Sequence, residues 1–474
     1  MLWLIWLKKR LVPIETLMPH DLIIVGGGIS GLTLGWQLQS QSSLDIRVLE
    51  AGSRVGGTIG SVRDAGFLME MGPNGFLDRV PHTLDLAQQL GLSGELQASS
   101  SLATKRFLMH KGSLSTLPET PKSFLRTKTL TFGGKCRVGM ERFKKKQEEG
   151  VEESVAAFVR RRLGGQILDR YVDAFVSGIF AGDPEQLSVD AAFPRLRFLE
   201  QEYGSLLKAS SALAKEKKAQ GEKEGMSAGP SGKLWSFKNG LSTLVDALSR
   251  QLGGRVMLDA EVSGLRYHNN LWHLQTHRGT LQTRRVVLSI PSYGAANLLG
   301  HEFKEVSDSL DTIAYAPIAV VGLGLRREDV RHPLDGFGYL CPEVEKRSIL
   351  GCLFSSELFP ETRAPDGHVL LRVMLGGARH PEALGQTPND CFERAMKEVS
   401  ETLGFRRDPV WSRVVRWQRG IPQYNLGHLE RLAQTEALMS EKTPGLYLHG
   451  NAYRGVGINN CVEESAKLAE ILLK

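Results

Sequence analysis

Residues 26–31 read Gly-Gly-Gly-Ile-Ser-Gly and lie between a short apolar run, "DLIIV" (Asp21–Val25), and a segment with helical spacing, Ile29–Ser40. A GxGxxG turn in that setting constrains the chain more than any other feature. Gly26 permits the tight turn, Gly28 lets the backbone approach a pyrophosphate, and Gly31 lets helix and strand pack closely. Gly27, Ile29 and Ser30 complete the turn, and the free N–H groups at the helix start favour phosphate. A second strand-like run, "DIRVLE", ends on Glu50, 19 residues after Gly31. A carboxylate there is placed to accept hydrogen bonds from a ribose diol. The expected fold class is therefore α/β, built on a Rossmann-like βαβ unit.

A second glycine-rich turn, "HGNAYRGVGINN", runs from His449 to Asn460 and precedes the last helical segment. Two such turns either serve two ligands or grip one long ligand from both ends.

With 474 residues, 41% hydrophobic and 23% charged, the composition is that of a folded globular chain. A net charge of +7 favours anionic partners or is simply solvated surface charge. Cys136, Cys341, Cys352, Cys391 and Cys461 form no CxxC pair and are odd in number, which argues against a disulfide frame or a cysteine metal site. No metal site and no nucleic-acid partner are expected. The first residues, "MLWLIWLKKR", are too short to span a bilayer, and their charge follows the apolar run rather than preceding it. Residues 1–17 are read as an extension, with initiation at Met18. The alternative is an interfacial contact through Trp3, Ile5 and Trp6.

Along the chain, Val151, Val155, Phe158, Val159 and Leu163 recur at helical spacing, Asp169–Phe180 continues that signal, and residues 208–233 read as a flexible segment. Strand-like runs follow from Leu234 to Gly377. The division expected is 18–95, 234–300 and 416–474 for the dinucleotide-binding unit, 96–233 for a mainly helical region, and 301–415 for an inserted mixed sheet. The basic run Arg142–Glu149 beside apolar helices makes the helical region a candidate for peripheral membrane contact. No catalytic triad, paired-acid motif or metal-ligand spacing is evident, so no acid or base is assigned. His428 and His449 are as readily structural as functional.

Beyond Glu50 the chain reads "EAGSRVGGTIGSVRDAGFLMEMGPNGF". This run resembles the flavin amine oxidase superfamily, in which a ribose-binding Glu precedes an Arg-x-Gly-Gly turn, here Arg54 to Gly57. The resemblance implies FAD as cofactor. It extends the binding set to Ala51, Thr58, Gly72, Pro73, Asn74, Gly75 and Val262, with Gly450, Asn451, Val456, Gly457 and Ile458 at the reactive end. The segments "KRFLMHKGSLSTLP", "VSGIFAGDPEQLS", "PLDGFGYLCP", "LGCLFSSELFP", "GIPQYNLGHLERL" and "GNAYRGVGINNC" together resemble the protoporphyrinogen oxidase family, from Asp21 to the C-terminus. That resemblance implies Arg106 as a propionate partner, Gly178 as a close backbone approach, and Leu334, Leu340, Phe354 and Met374 as walls around the tetrapyrrole. It also implies three successive two-electron oxidations of protoporphyrinogen IX, with dioxygen as acceptor and hydrogen peroxide as product, in heme biosynthesis. The location implied is cytoplasmic or peripheral on a membrane, with a homodimer left open. Coproporphyrinogen III oxidation by the same fold and an amine or polyamine oxidase are the alternatives. An amine substrate would call for an acidic group in the site, and Arg106 points the other way.

Overall fold

The protein is described by a computed structural model covering residues 18–101, 103–219 and 232–474. The alternative readings of residues 1–17 concern positions outside those described.

The first strand, His20–Val25, is almost entirely buried because both of its faces are covered. It pairs in parallel with Ile46–Leu49 on one side and Gly279–Leu288 on the other. Val256–Met257 extends the sheet beyond Ile46–Leu49. Leu271–Thr276 and Val262–His268 extend it antiparallel beyond Gly279–Leu288, and Leu446–Leu448 pairs in parallel with that same strand. Alternation along the first strand sends Leu22 and Ile24 to one core and Ile23 and Val25 to the other. On the Leu22 side pack the helices Ile29–Gln41, Ser242–Leu252 and Ile458–Leu473. Segments from the start, middle and end of the chain thus build one α/β unit, in line with the expected fold class.

A second seven-stranded sheet runs in the order Trp411–Pro422, Tyr315–Arg326, His368–Gly376, Ile349–Phe354, Gly338–Leu340, Arg106–His110, Ser113–Thr116. One of its faces is a closed apolar core that also takes in Cys391, Ala395, Val399 and Leu403 of the helix Pro388–Leu403. Its edge hairpin comes from residues 106–116, which the sequence division assigned to the helical region. Gly338–Leu340 captures Arg106–His110 as a parallel partner, a long-range pairing that local periodicity does not carry.

The helical region proper begins at Pro121–Arg126. Val155, Phe158 and Val159 are buried in its core, as the spacing predicts, whereas Val151 precedes the helix Val155–Arg162 and is exposed. Ser154 caps that helix by accepting from the Ala157 N–H at 3.1 Å. The expectation of a flexible segment at 208–233 needs correction. The helix Leu206–Ala219 occupies its first part, anchored at its start where Leu206 and Leu207 N–H groups donate to the buried Glu141 carboxylate. At the far end Leu234–Phe237 is a strand, and residues 220–231 lie outside those described.

Candidate active site

The glycine turn has the steric logic expected of a ligand cradle. Gly26 has φ +111°, and a Cβ there would stand 2.3 Å from the Ser289 carbonyl oxygen. A Cβ on Gly31 would stand 2.1 Å from the Gly26 oxygen, while one on Gly28 would meet nothing within 4 Å. Gly28 therefore faces open space at the start of the helix Ile29–Gln41, whose first turn has no side-chain cap. Glu50 accepts from the Gly27 N–H through Oε2 and from the Gly52 N–H through Oε1, both at 2.8 Å. The acid is thereby oriented beside the turn, with lone pairs remaining for further donors. Ala51 is exposed next to it. The Ala260 N–H donates to the Glu50 carbonyl at 2.8 Å, bringing the strand that opens on Val262 against the same edge.

Arg54 spends its fork on its own loop. It donates to the carbonyls of Val55, Ile59 and Gly57 at 3.0, 2.9 and 2.9 Å. Gly56 bridges in parallel to Gly28, and Gly57, at φ +58°, sits beside the Gly28 Cα. Arg54 thus shapes the wall facing the cradle. A Cβ on Gly72 would strike the Thr58 carbonyl at 2.2 Å, and one on Gly75 the Trp235 carbonyl at 2.4 Å. Between them, after Pro73, the Asn74 amide nitrogen is buried without a hydrogen-bond partner.

The two glycine turns, at opposite ends of the sequence, are neighbours. Gly450 has φ +120°, and a Cβ there would lie 4.0 Å from Ser30 Oγ. The Ser465 hydroxyl reaches the Ser30 carbonyl at 3.1 Å, and the His449 N–H donates to the Leu288 carbonyl at 3.0 Å. Tyr424 donates its hydroxyl to the Asn451 carbonyl at 2.6 Å. Val456 packs on the core of the helical region. Gly457 then starts the helix Ile458–Leu473, again without a side-chain cap. Two uncapped helix starts, the open side of Gly28, Glu50 and the orphaned Asn74 amide fit a long ligand with phosphates, a ribose and a polar ring edge. The residues present therefore suit a dinucleotide such as FAD.

The second sheet presents its other face toward this unit. Ladder registers place Arg106, Gly338, Leu353 and Arg372 in one row across four strands, with Leu108, Leu340, Gly351 and Met374 in the next. Part of that face is covered by the strand Phe67–Glu70, whose Phe67 and Met69 cluster with Val320, Leu370 and Trp411. Another part meets the helix Asp173–Phe180, where a Cβ on Gly178 would lie 3.1 Å from Leu340 Cδ2. The fold therefore gathers Arg106, Gly178, Leu340 and Met374 on one side. Arg106 is half-buried, its Cζ lies 5.6 Å from the Phe337 ring centre, and burial lowers its pKa against the opposing pull of Glu119.

Two expected wall residues are corrected. Phe354 and Leu334 are fully buried in the closed core on the opposite face, with Tyr339 and Cys352. Successive strand residues point to opposite faces, so the residue that reaches the open face is Leu353, one position earlier. Its strand neighbours in "LGCLF" carried the signal, since Cys352 and Phe354 alternate with it. Arg372 was also missed, although it is the one charge inside "VLLRVMLGG". Both candidate histidines are buried and have polar partners within the fold. Burial holds His449 down to about 4 against the raising pull of a hydrogen bond to the Ser30 backbone, and its Nε2 lies 2.9 Å from Ser465 Oγ. His428 is also pushed down by burial, stacks on Tyr424 at 4.3 Å, and has Nε2 at 2.9 Å from the Tyr453 carbonyl. Among the described residues there is no cluster of three or more metal-ligating side chains, and no helix is long and apolar enough to cross a membrane.

Comparison with known proteins gives the family and the fold. The family model for flavin containing amine oxidoreductase matches residues 29–473. The chain is 35% identical over 467 residues to chloroplastic protoporphyrinogen oxidase of Nicotiana tabacum, covering 95% of this chain and 84% of that protein. It is 28% identical over 455 residues to coproporphyrinogen III oxidase of Bacillus subtilis (strain 168), covering 93% and 95%. A crystal structure from Exiguobacterium sp. 255-15, at 24% identity, superposes with a TM-score of 0.82 over 96% of this chain and 99% of that one, a likeness of fold. The chain belongs to the flavin containing amine oxidoreductase family.

Proposed function

We propose that this protein binds FAD across its two glycine turns and oxidises protoporphyrinogen IX to protoporphyrin IX, with dioxygen as acceptor and hydrogen peroxide as product. The observation that carries the substrate class is the pair of adjacent rows that holds Arg106 and Leu353 in one and Leu340 and Met374 in the other. It is a largely apolar sheet face with the Arg106 guanidinium toward one edge, and with Arg372 tied to the Glu70 and Gly72 carbonyls. A macrocycle with carboxylate arms needs a broad apolar surface and a planar fork at its margin. The flavin, when bound, supplies the two-electron oxidation. The chain's own residues bind, orient and shield. Arg106 pairs with a propionate, and Leu340, Leu353 and Met374 hold the ring system. Gly178 lets the helix close over Leu340. The buried, neutral histidines leave positioning as the main contribution of the protein.

The test is aerobic turnover of protoporphyrinogen IX and coproporphyrinogen III in parallel, read by porphyrin fluorescence, with peroxide and flavin absorbance measured. Faster turnover of the proto substrate supports the reading. Preference for the copro substrate, or no excess over spontaneous oxidation, overturns it. We also propose peripheral membrane contact through the helical region, where Leu125, Phe132 and Phe143 are exposed among Lys122, Arg126 and Lys144–Lys146. Failure to co-sediment with anionic vesicles at low salt would remove that part.

A further inference from the structure

Three consecutive carbonyls, those of Glu70, Met71 and Gly72, accept hydrogen bonds from side chains of the second sheet. Arg372 donates through Nε to the Glu70 oxygen at 3.2 Å and through Nη2 to the Gly72 oxygen. Trp417 donates through Nε1 to the Met71 oxygen at 2.9 Å. The next residues are Pro73, which has no N–H to anchor itself, and Asn74, whose amide is orphaned. The Glu70 side chain is pinned separately, by Ser61 Oγ at 2.6 Å and the Leu241 N–H at 3.0 Å. The segment entering the Pro73–Asn74 turn is thus gripped from below by its own unit and from above by the substrate-facing sheet.

Arg372 is 4% exposed. Burial draws its pKa down to about 10 while the Glu70 carboxylate pulls the other way, so it remains a cation at neutral pH. A buried guanidinium with two carbonyl acceptors and a nearby carboxylate is a rigid fork rather than a free cation. It stands two residues from Met374 on the same face of the same strand, roughly 7 Å along the chain. One strand therefore carries both a candidate substrate wall and the grip on the candidate flavin loop.

We propose that Arg372, seconded by Trp417, is a positioning residue that sets the separation between the loop holding the flavin and the surface holding the substrate. This rests on the reading of the site given above. Substrate contact is left to Arg106 and the apolar row, and Arg372 acts only through the Glu70–Gly72 backbone. Because a misplacement of about 1 Å can cost on the order of 100-fold in rate, loosening this grip should act on turnover more than on binding.

The experiment compares the FAD-loaded full chain with Arg372→Met, Arg372→Lys and Trp417→Phe. Folding is checked by far-ultraviolet circular dichroism. Visible-region circular dichroism and fluorescence of the bound flavin give a readout independent of turnover, and steady-state kinetics follow on the better porphyrinogen. Arg372→Met is expected to change the flavin spectrum and lower kcat at least tenfold, with KM within about twofold. Arg372→Lys, able to reach one carbonyl, should fall between, and Trp417→Phe should move both readouts the same way by less. A loaded Arg372→Met protein whose flavin spectrum and kcat stay within twofold of the parent overturns the proposal, as does a loss confined to KM. Should Arg372→Met not fold, unchanged spectra and kcat in the other two variants overturn it. If the parent turns over no porphyrinogen, the substrate reading fails, while the flavin spectra still decide the grip.

Discussion

Glu50→Gln separates a ligand-binding acid from a merely structural one. The parent carboxylate accepts two backbone N–H groups, from Gly27 and Gly52, each at 2.8 Å. Gln keeps one acceptor oxygen and turns an NH2 toward the other donor. One charge-assisted bond is lost and one N–H is left facing a donor, which costs about 1–3 kcal/mol. That part falls on the apoprotein and should lower its melting temperature by a few degrees. If Glu50 also receives the ribose hydroxyls, a second loss of similar size appears only on binding. At about 1.4 kcal/mol per tenfold, the FAD dissociation constant should then rise about 10–100-fold. The assay is titration of apoprotein with FAD by quenching of flavin fluorescence, beside thermal melts with and without cofactor. A lowered apoprotein melt with an unchanged dissociation constant would show that Glu50 only braces the glycine turn, and would refute its role as ribose partner.

The glycine cradle offers a paired test. Gly28→Ala meets nothing within 4 Å, so the apoprotein should melt like the parent while FAD affinity falls; equal affinity would mean the open side is not the binding side. Gly31→Ala would set a Cβ 2.1 Å from a backbone oxygen and should yield little folded protein, an outcome contradicted by a normal melt. On the second sheet, Phe354→Ala should cost about 3–5 kcal/mol of stability with kcat/KM of the folded fraction near the parent's, whereas Leu353→Ala should raise KM; the reverse pattern would place Phe354 in the site after all. His449 predicts acid sensitivity. Its pKa of about 4 in the fold lies below the usual 6.5, so the unfolded chain binds the extra proton. Its contribution is complete above pH 6.5 and is lost as pH falls toward 4, by up to about 3 kcal/mol. His449→Gln should flatten that part of the stability–pH curve, and an unaltered acid limb would exclude it.

The legibility of the site followed the range of the physics. The Gly26–Gly31 turn, Glu50 and the strand–helix–strand order around them were readable because each depends on residues close in sequence. So was the buried stripe Val155, Phe158 and Val159. The segment 208–233 misled because its charge and low complexity suited a loop, while the anchor of the helix Leu206–Ala219, the Glu141 carboxylate, lies some 65 residues upstream. Leu353 and Phe354 were exchanged because period-2 alternation gives two faces without saying which is closed. That choice was made by the helix Pro388–Leu403 packing on one of them.

The sequence by itself determined a glycine turn between a strand and a helix with a carboxylate beside it, a second glycine turn before the last helix, and an arginine on an apolar segment. The resemblance also implied that the two glycine turns lie close together, as Ser30 beside Gly450 and Ser465 bears out, but only the tertiary structure decided that Arg372 and Trp417 hold carbonyls 300 and 346 residues away. The reason is physical. A turn's conformation is set by the sterics of its own few residues. The partner of a buried carbonyl is set by which strands the whole core brings together, and no local pattern encodes it.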